Sequence, residues 1–416
     1  MRRAAWQAAG VACAFAFAAA AELPVEQPGH VATLPSPPRS HWIVVSDFVL
    51  TRSAFVDLDD GTFLGMVSGG YGAQQAAYPH SGREFYVPET YLSRGTRGTR
   101  TDVVTVYDTA TLAPVAEIVI PPKRATNTLA VGNVALSDDD RFLAVFDMNP
   151  ATSLSIVDVT ARAFVAEVPT PGCGLVYANG TRAFLMLCAD GALLRVSLRD
   201  DGTLARIDRS EPFFDPVRDP VTEKAVRAGS RWVFVSFEGQ VHEVDWSGDA
   251  ARFEAPWPLV EEGLRAESWR IGGAQSLALH APTDRLFALM HRGGPDTHKA
   301  PGTELWVYDL RSRTRLQRIP VRNPGLELMG ESLAFGRDWP APLDGLYDWL
   351  LDTVVPNPGV DRVVVTQDEK PLVATSCERG GSLGIYDGTS GAFLRRVGAG
   401  GLSPSVLAAP FGAAAP

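Results

Sequence analysis

LSDDDRFLAVF, residues 136–146, followed by VDVTARAFVAEV, residues 157–168, is the stretch on which the fold turns. An apolar strand runs into an acidic turn closed by a cation, Arg141, and a second apolar strand follows. A third strand then ends on Asp158, turns, and continues as a fourth. Alternating apolar residues bounded by Asp-, Thr- and Gly-containing turns are the mark of antiparallel strands. The opening half recurs as YPHSGREFYV (78–87), YANGTRAFLML (177–187), RAGSRWVFVS (227–236), HAPTDRLFALM (280–290) and VTQDEKPLVAT (365–375). The turn cation in these copies is Arg83, Arg182, Arg231, Arg285 or Lys370. The closing half recurs at 107–118, 196–207, 244–255, 308–319 and 386–397, with an incomplete first copy, FVDLDDGTFLGMV, at 55–67.

Seven closing hairpins result, and four strands per unit at roughly 40–50-residue spacing is the pattern of a β-propeller. The fold class expected is therefore all-β, one seven-bladed β-propeller over 41–410. The first unit lacks its innermost strand, and SPSVLAAP (403–410) resembles that strand in the other units. Pairing of the N- and C-terminal strands would close the ring and remove exposed sheet edges. Residues 322–360 interrupt the spacing as an insertion. Within it Asp344, Asp348 and Asp352 recur on one side and Leu343, Leu346, Tyr347, Leu350 and Leu351 on the other. That is a short amphipathic helix, expected to pack on the propeller as a cap.

The N-terminus, MRRAAWQAAGVACAFAFAAA, reads as a secretory signal peptide over 1–21, followed by a flexible Pro- and Glu-rich leader over 22–40. The chain is expected to be exported, with no membrane anchor, because nothing later approaches the ~20 apolar residues of a spanning helix. An oxidising compartment favours disulfides. Cys173 and Cys188 lie 15 residues apart on neighbouring strand patterns and form the natural pair, leaving Cys377 single. A formal net charge of −10 argues against nucleic acid as a partner.

YLSRGTRGTRTDVVTVYD (91–108) holds Arg94, Arg97 and Arg100 between glycines. A phosphate-cradling loop needs a helix after it, and here a strand follows. The segment is the loop between the second and third strands of an early blade. Its counterpart in the sixth unit, HRGGPDTHKAPGT (291–303), is also enlarged and cationic, with His291, His298 and Lys299. These six residues are interface candidates; a solvated loop is the competing reading. The histidines lack metal-ligand spacing, no CxxC or GxSxG motif is present, and the carboxylates are spread over turns. No metal site and no catalytic residue is expected on this chain.

As a set, YLSRGTRGTRTDVVTVYD, GCGLVYANGTRAFLMLCADGALLRV, ESWRIGGAQSLALH and HRGGPDTHKAPGTELWVYD resemble the heavy (large) subunit of quinoprotein amine dehydrogenases, the methylamine and aromatic amine dehydrogenase family. The resemblance runs from VVSDF to the last closing hairpin. It implies a periplasmic α2β2 assembly in which a light subunit carries tryptophan tryptophylquinone and this chain binds no cofactor. It implies oxidative deamination of primary amines to aldehyde and ammonia. Electrons would pass to a cupredoxin, amicyanin- or azurin-like, or to a c-type cytochrome. It places a disulfide at Cys173 and Cys188 and a Phe at the amine-pocket mouth, matched by Phe48 or, failing that, Phe55. The insertion 322–360 and Cys377 depart from the family pattern. The alternatives are a self-sufficient, metal-dependent, lactonase-like propeller hydrolase and a non-catalytic scaffold propeller.

Overall fold

The computed structural model describes residues 33–128, 131–322, 352–378 and 382–412, together with 327–328, 331–332, 346 and 349–350. The proposed signal peptide, 1–21, lies outside the described residues, as does most of the insertion. From Leu34 onward the chain forms one compact unit. It is a seven-bladed β-propeller.

Blade I pairs three N-terminal strands, Trp42–Asp47, Arg52–Asp57 and Phe63–Ser68, with the C-terminal strand Pro404–Ala408 in the innermost place. The closing pair is antiparallel, with Val44 opposite Ala408 and Ser46 opposite Val406. The expected closure is therefore present. Blades III, IV and VII are regular four-stranded sheets. Blade II reduces its inner strand to a single bridge, Ala77 to Tyr86, beside Glu84–Leu92, Arg100–Asp108 and Pro114–Ile120. Blade VI splits its inner strand into Trp269–Ile271 and Leu277–His280, both paired to Arg285–Arg292. In blade V the outer edge breaks between Arg252–Phe253 and Trp257–Pro258, where Pro256 cannot donate to the ladder.

Burial follows strand position. The middle strands Phe142–Asp147 and Ser153–Asp158 of blade III are buried at every residue, because a blade stands between two neighbours. Outer strands such as Thr314–Pro320 alternate exposed and covered residues, one side facing water. Clusters packed between adjacent blades make the core; one joins Phe146, Val176, Phe184, Phe234 and Trp246 across blades III to V. The turn cations make ion pairs within and between blades: Arg141 to Asp158 at 3.0 Å and Arg231 to Glu243 at 2.8 Å inside their own blades, and Arg231 to Asp284 of blade VI at 2.9 Å.

The leader expected to be flexible over 22–40 is packed from Leu34, whose N–H donates to the Ala110 carbonyl at 2.7 Å. Leu34 lies half-buried against Trp42, Phe55 and Phe85. The insertion also departs from expectation where it is described. Residues 346, 349–350 and 352–353 are helical, yet Leu346 and Leu350 are exposed and Asp352 meets the propeller. Its carboxylate pairs with Arg322 at 2.8 Å and Arg396 at 2.7 Å. Arg322, just past the last strand of blade VI, and Arg396 of blade VII hold Asp352, and Leu346 and Leu350 are left outward.

Candidate functional site

In this topology the loops between second and third strands share one face of the disc with the connections between blades. On that face, over blades I to III, the structure joins several segments into one surface. Asp47, buried at the end of its strand, accepts N–H bonds from Leu50 (2.8 Å), Leu402 (2.5 Å) and Ser403 (2.8 Å). This fixes the turn that carries Phe48, which is half-buried, and Val49, which is exposed. The Gly69 N–H and the Gln74 side chain both donate to the Thr51 carbonyl, bringing the blade I–II connection alongside.

Arg124 holds that connection down. It is 4% exposed, and its guanidinium donates to the carbonyls of Ala73 (2.9 Å) and Tyr71 (3.0 Å) and to Thr90 Oγ1 (3.1 Å). Its backbone N–H donates to Asp102 Oδ2 at 2.9 Å. Asp102 is fully buried and also accepts from Thr90 Oγ1 at 2.9 Å. Burial pushes the Arg124 guanidinium down to about 10, with Asp102 acting in the opposite sense, so it stays a cation at neutral pH.

Arg100 is not part of the loop. It opens the strand Arg100–Asp108, forks onto Asp102 at 2.8 and 2.7 Å, and donates to the Arg124 carbonyl at 2.7 Å. The loop proper, 93–99, closes on itself through Ser93 and Thr99, and Gly98 sits at φ +104°, where an added Cβ would meet Ser93 Oγ at 2.3 Å. Arg94 and Arg97 are exposed at its tip. Tyr71, Tyr91 and Met148 are exposed around them, residues that the sequence reading missed. Their one signal is an apolar residue inside or beside an otherwise polar turn. Arginine with exposed aromatic and Met side chains is the composition of a protein contact surface.

Phe55 does not reach this face. It is fully buried, 5.4 Å from the Phe85 ring, and packs within the core between blades I and II. Phe48 is the member of the pair that sits on the face. The blade VI loop is a separate feature. His291 is buried, with Nε2 hydrogen-bonded to Thr297 Oγ1 at 2.8 Å, and His298 stacks on Phe237 at 3.5 Å. Burial lowers both imidazoles, helped by Arg270 at His291 and by Lys224 and Lys299 at His298. Lys299 is exposed. The two histidines are held by separate partners, and no three His, Cys, Asp or Glu residues gather into a metal-binding group among the described residues. Cys173 and Cys188 form a disulfide on the start and end of adjacent strands in blade IV, as the spacing predicts. Cys377 is buried.

Asp147 lies beneath the same face and is fully buried. It accepts from Ser155 Oγ at 2.7 Å, while its Oδ1 has no partner. Burial pushes its carboxyl up to about 7; Glu167 and Asp102 add to the rise, and Ser155 and Lys123 oppose it. Between about pH 4 and pH 7 the folded chain therefore keeps a proton that the unfolded chain has released. Stability falls as pH rises through that window, by up to about 4 kcal/mol for a shift of this size. Asp147→Asn is expected to flatten this slope in urea titrations between pH 5 and 8 and to be the more stable protein at pH 8. An unchanged slope would remove Asp147 as its source.

The family model described as methylamine dehydrogenase heavy chain matches residues 40–332. The chain is 27% identical over 362 residues to the methylamine dehydrogenase heavy chain of Paracoccus versutus, covering 86% of this chain and 76% of that protein. It is 25% identical over 370 residues to the methylamine dehydrogenase heavy chain of Methylorubrum extorquens, covering 88% and 80%. Among solved structures, a functionally unknown protein from Desulfotomaculum acetoxidans superposes with a TM-score of 0.56 at 13% identity, over 88% of this chain and 98% of that one, a likeness of fold.

Proposed function

Because the chain belongs to the methylamine dehydrogenase heavy chain family, we propose that it is the propeller subunit of a periplasmic amine dehydrogenase. In this reading a small light subunit docks on the face built from blades I to III, in an α2β2 assembly. That subunit's tryptophan tryptophylquinone, when present, supplies the oxidation of a primary amine to aldehyde and ammonia, and electrons leave to a cupredoxin or c-type cytochrome. This chain's own residues shape and hold the contact. Arg124 and Asp47 fix the loops, Arg94 and Arg97 offer planar donors to the partner, and Phe48 stands at the substrate entrance. The observation that carries the reading is the family match over 40–332, which spans the loops of that face from Asp47 to Met148.

The test is co-expression with a light subunit of this family, a small exported, Cys-rich chain. A purified complex that reduces a dye only when amine is added, from a chain inactive alone, is expected. Amine oxidation or chelator-sensitive lactone hydrolysis by the single chain would overturn the proposal. Within the complex, Arg94→Ser with Arg97→Ser is expected to weaken light-subunit binding about tenfold, the scale of one or two contact arginines. Binding unchanged at two salt concentrations would place the contact elsewhere.

A further inference from the structure

The opposite face of the disc, where the first–second and third–fourth strand turns emerge, carries a cleft between blades IV and V of about 490 Å³. Its wall brings together Arg182 from the blade IV turn, Arg195 from strand Leu193–Leu198, and Arg227 from strand Val226–Ala228. Thr181 and Ser197 stand among them, and Asp138 reaches in from blade III. No role in the docking reading touches these residues, and the two proposals stand or fall separately.

The three arginines on this wall are not equally paired. Arg227 forks onto Asp138 at 2.6 and 2.7 Å. Arg182 pairs with Asp139, and the exposed Asp200 approaches it at 3.3 Å. Arg195 has no carboxylate in ion-pair range among the described residues; its Nη1 donates to the Gly248 carbonyl at 2.6 Å. Asp208, its neighbour across the sheet, is committed to Arg206 at 2.7 Å. Of the three guanidinium groups, Arg195 alone is without an ion-paired carboxylate among the described residues. The Nε atoms of Arg195 and Arg227 are buried without a partner. A buried donor left unpaired costs free energy that an acceptor entering the cleft recovers. Burial also lowers the Arg195 guanidinium from its usual value, with Arg206 adding to the fall and Asp208 and Asp249 opposing it.

We propose that this cleft binds a tetrahedral oxyanion, phosphate or sulfate, free or as the head of a small ester, with Arg195 as the principal donor. Planar guanidinium forks match two oxygens of such a group at once. The hydroxyls of Thr181 and Ser197 supply neutral donors beside them. The volume exceeds a bare anion's, leaving room for water or for the organic remainder of an ester. An anion here ties the turns of blades IV and V together, so binding raises the stability of the folded chain by mass action.

The experiment is calorimetric titration of the full chain, alone and in any native complex, with inorganic phosphate, sulfate and glycerol phosphate at matched ionic strength, with chloride as control. Saturable binding of phosphate or sulfate, with a rise in melting temperature that chloride does not give, is expected. Tighter binding of the ester by about tenfold or more would identify the organic remainder as part of the ligand. Arg195→Gln is expected to weaken binding about tenfold or more, and Arg195→Lys to restore part of it. Arg97→Gln, which removes the same charge on the other face, should leave it unchanged. No saturable heat with any of the three anions, or equal affinity in Arg195→Gln, would overturn the proposal. Equal losses in Arg195→Gln and Arg97→Gln would do the same, by reducing the effect to net charge.

Discussion

Deleting residues 403–416 is expected to abolish cooperative folding. The strand Pro404–Ala408 is the only piece of blade I contributed from the far end of the chain, and it closes the ring. It carries Val406 and Leu407 into the core, and Phe411 follows into the cluster with Trp42 and Phe85. At about 1.5–3 kcal/mol for each buried side chain, their loss alone removes roughly 5–9 kcal/mol. That is most of the net stability of an ordinary domain, about 5–15 kcal/mol. The strand is also clasped from two other blades. The Gln275 side chain both donates to the Leu407 carbonyl and accepts its N–H, each at 2.9 Å, and Arg362 Nε donates to the Ser405 carbonyl at 2.9 Å. These acceptors and donors would be stranded in the truncated chain. Thermal melts followed by circular dichroism provide the check, and a truncated protein melting cooperatively within a few degrees of the full chain would refute it. Leu407→Ala, which keeps the backbone, is expected to cost about 2–5 kcal/mol and to fold.

Arg124→Leu is expected to destabilise the chain by about 3–5 kcal/mol, the cost of breaking one side of a buried charged network. The substitution leaves the Tyr71 and Ala73 carbonyls without their guanidinium donor. Arg100 still pairs with Asp102, which holds the loss toward the lower end of that range. The same variant should loosen the blade I–II connection before the rest of the molecule. Faster amide exchange confined to residues 69–76 is therefore expected at denaturant concentrations where the other blades stay protected. Urea midpoints measure the first effect. A loss under about 1 kcal/mol, with exchange unaltered, would show that the network is not what holds this face.

Much of the fold was legible because a propeller blade is a local object. The turn cation of LSDDDRFLAVF and the closing VDVTARAFVAEV lie within one blade, so hairpin spacing alone counts the blades. The same locality made the Cys173–Cys188 pair readable, since both ends sit on adjacent strands. The proposed docking face was only partly legible. The arginine loop was visible as a motif, but the sequence could not separate Arg100, bound inward to Asp102, from Arg94 and Arg97 at the tip. The exposed Tyr71 and Met148 left little trace, because one apolar residue in a turn reads the same whether it is covered or bare.

The sequence by itself determined the all-β class, the seven units, the closing strand, the disulfide and the family. Each depends on residues close in the chain or on a pattern repeated along it. Only the tertiary structure decided that Phe55 is core while Phe48 reaches a face, and that Asp352 turns toward the propeller while Leu346 and Leu350 face outward. It also decided that Asp147 is shut away from water and that Arg195 has no ion-paired carboxylate among the described residues. Those outcomes depend on which charges and surfaces neighbouring blades present, and ring closure brings together groups tens to hundreds of residues apart. Burial and electrostatic pairing are set by that assembly, and no local window of sequence contains it.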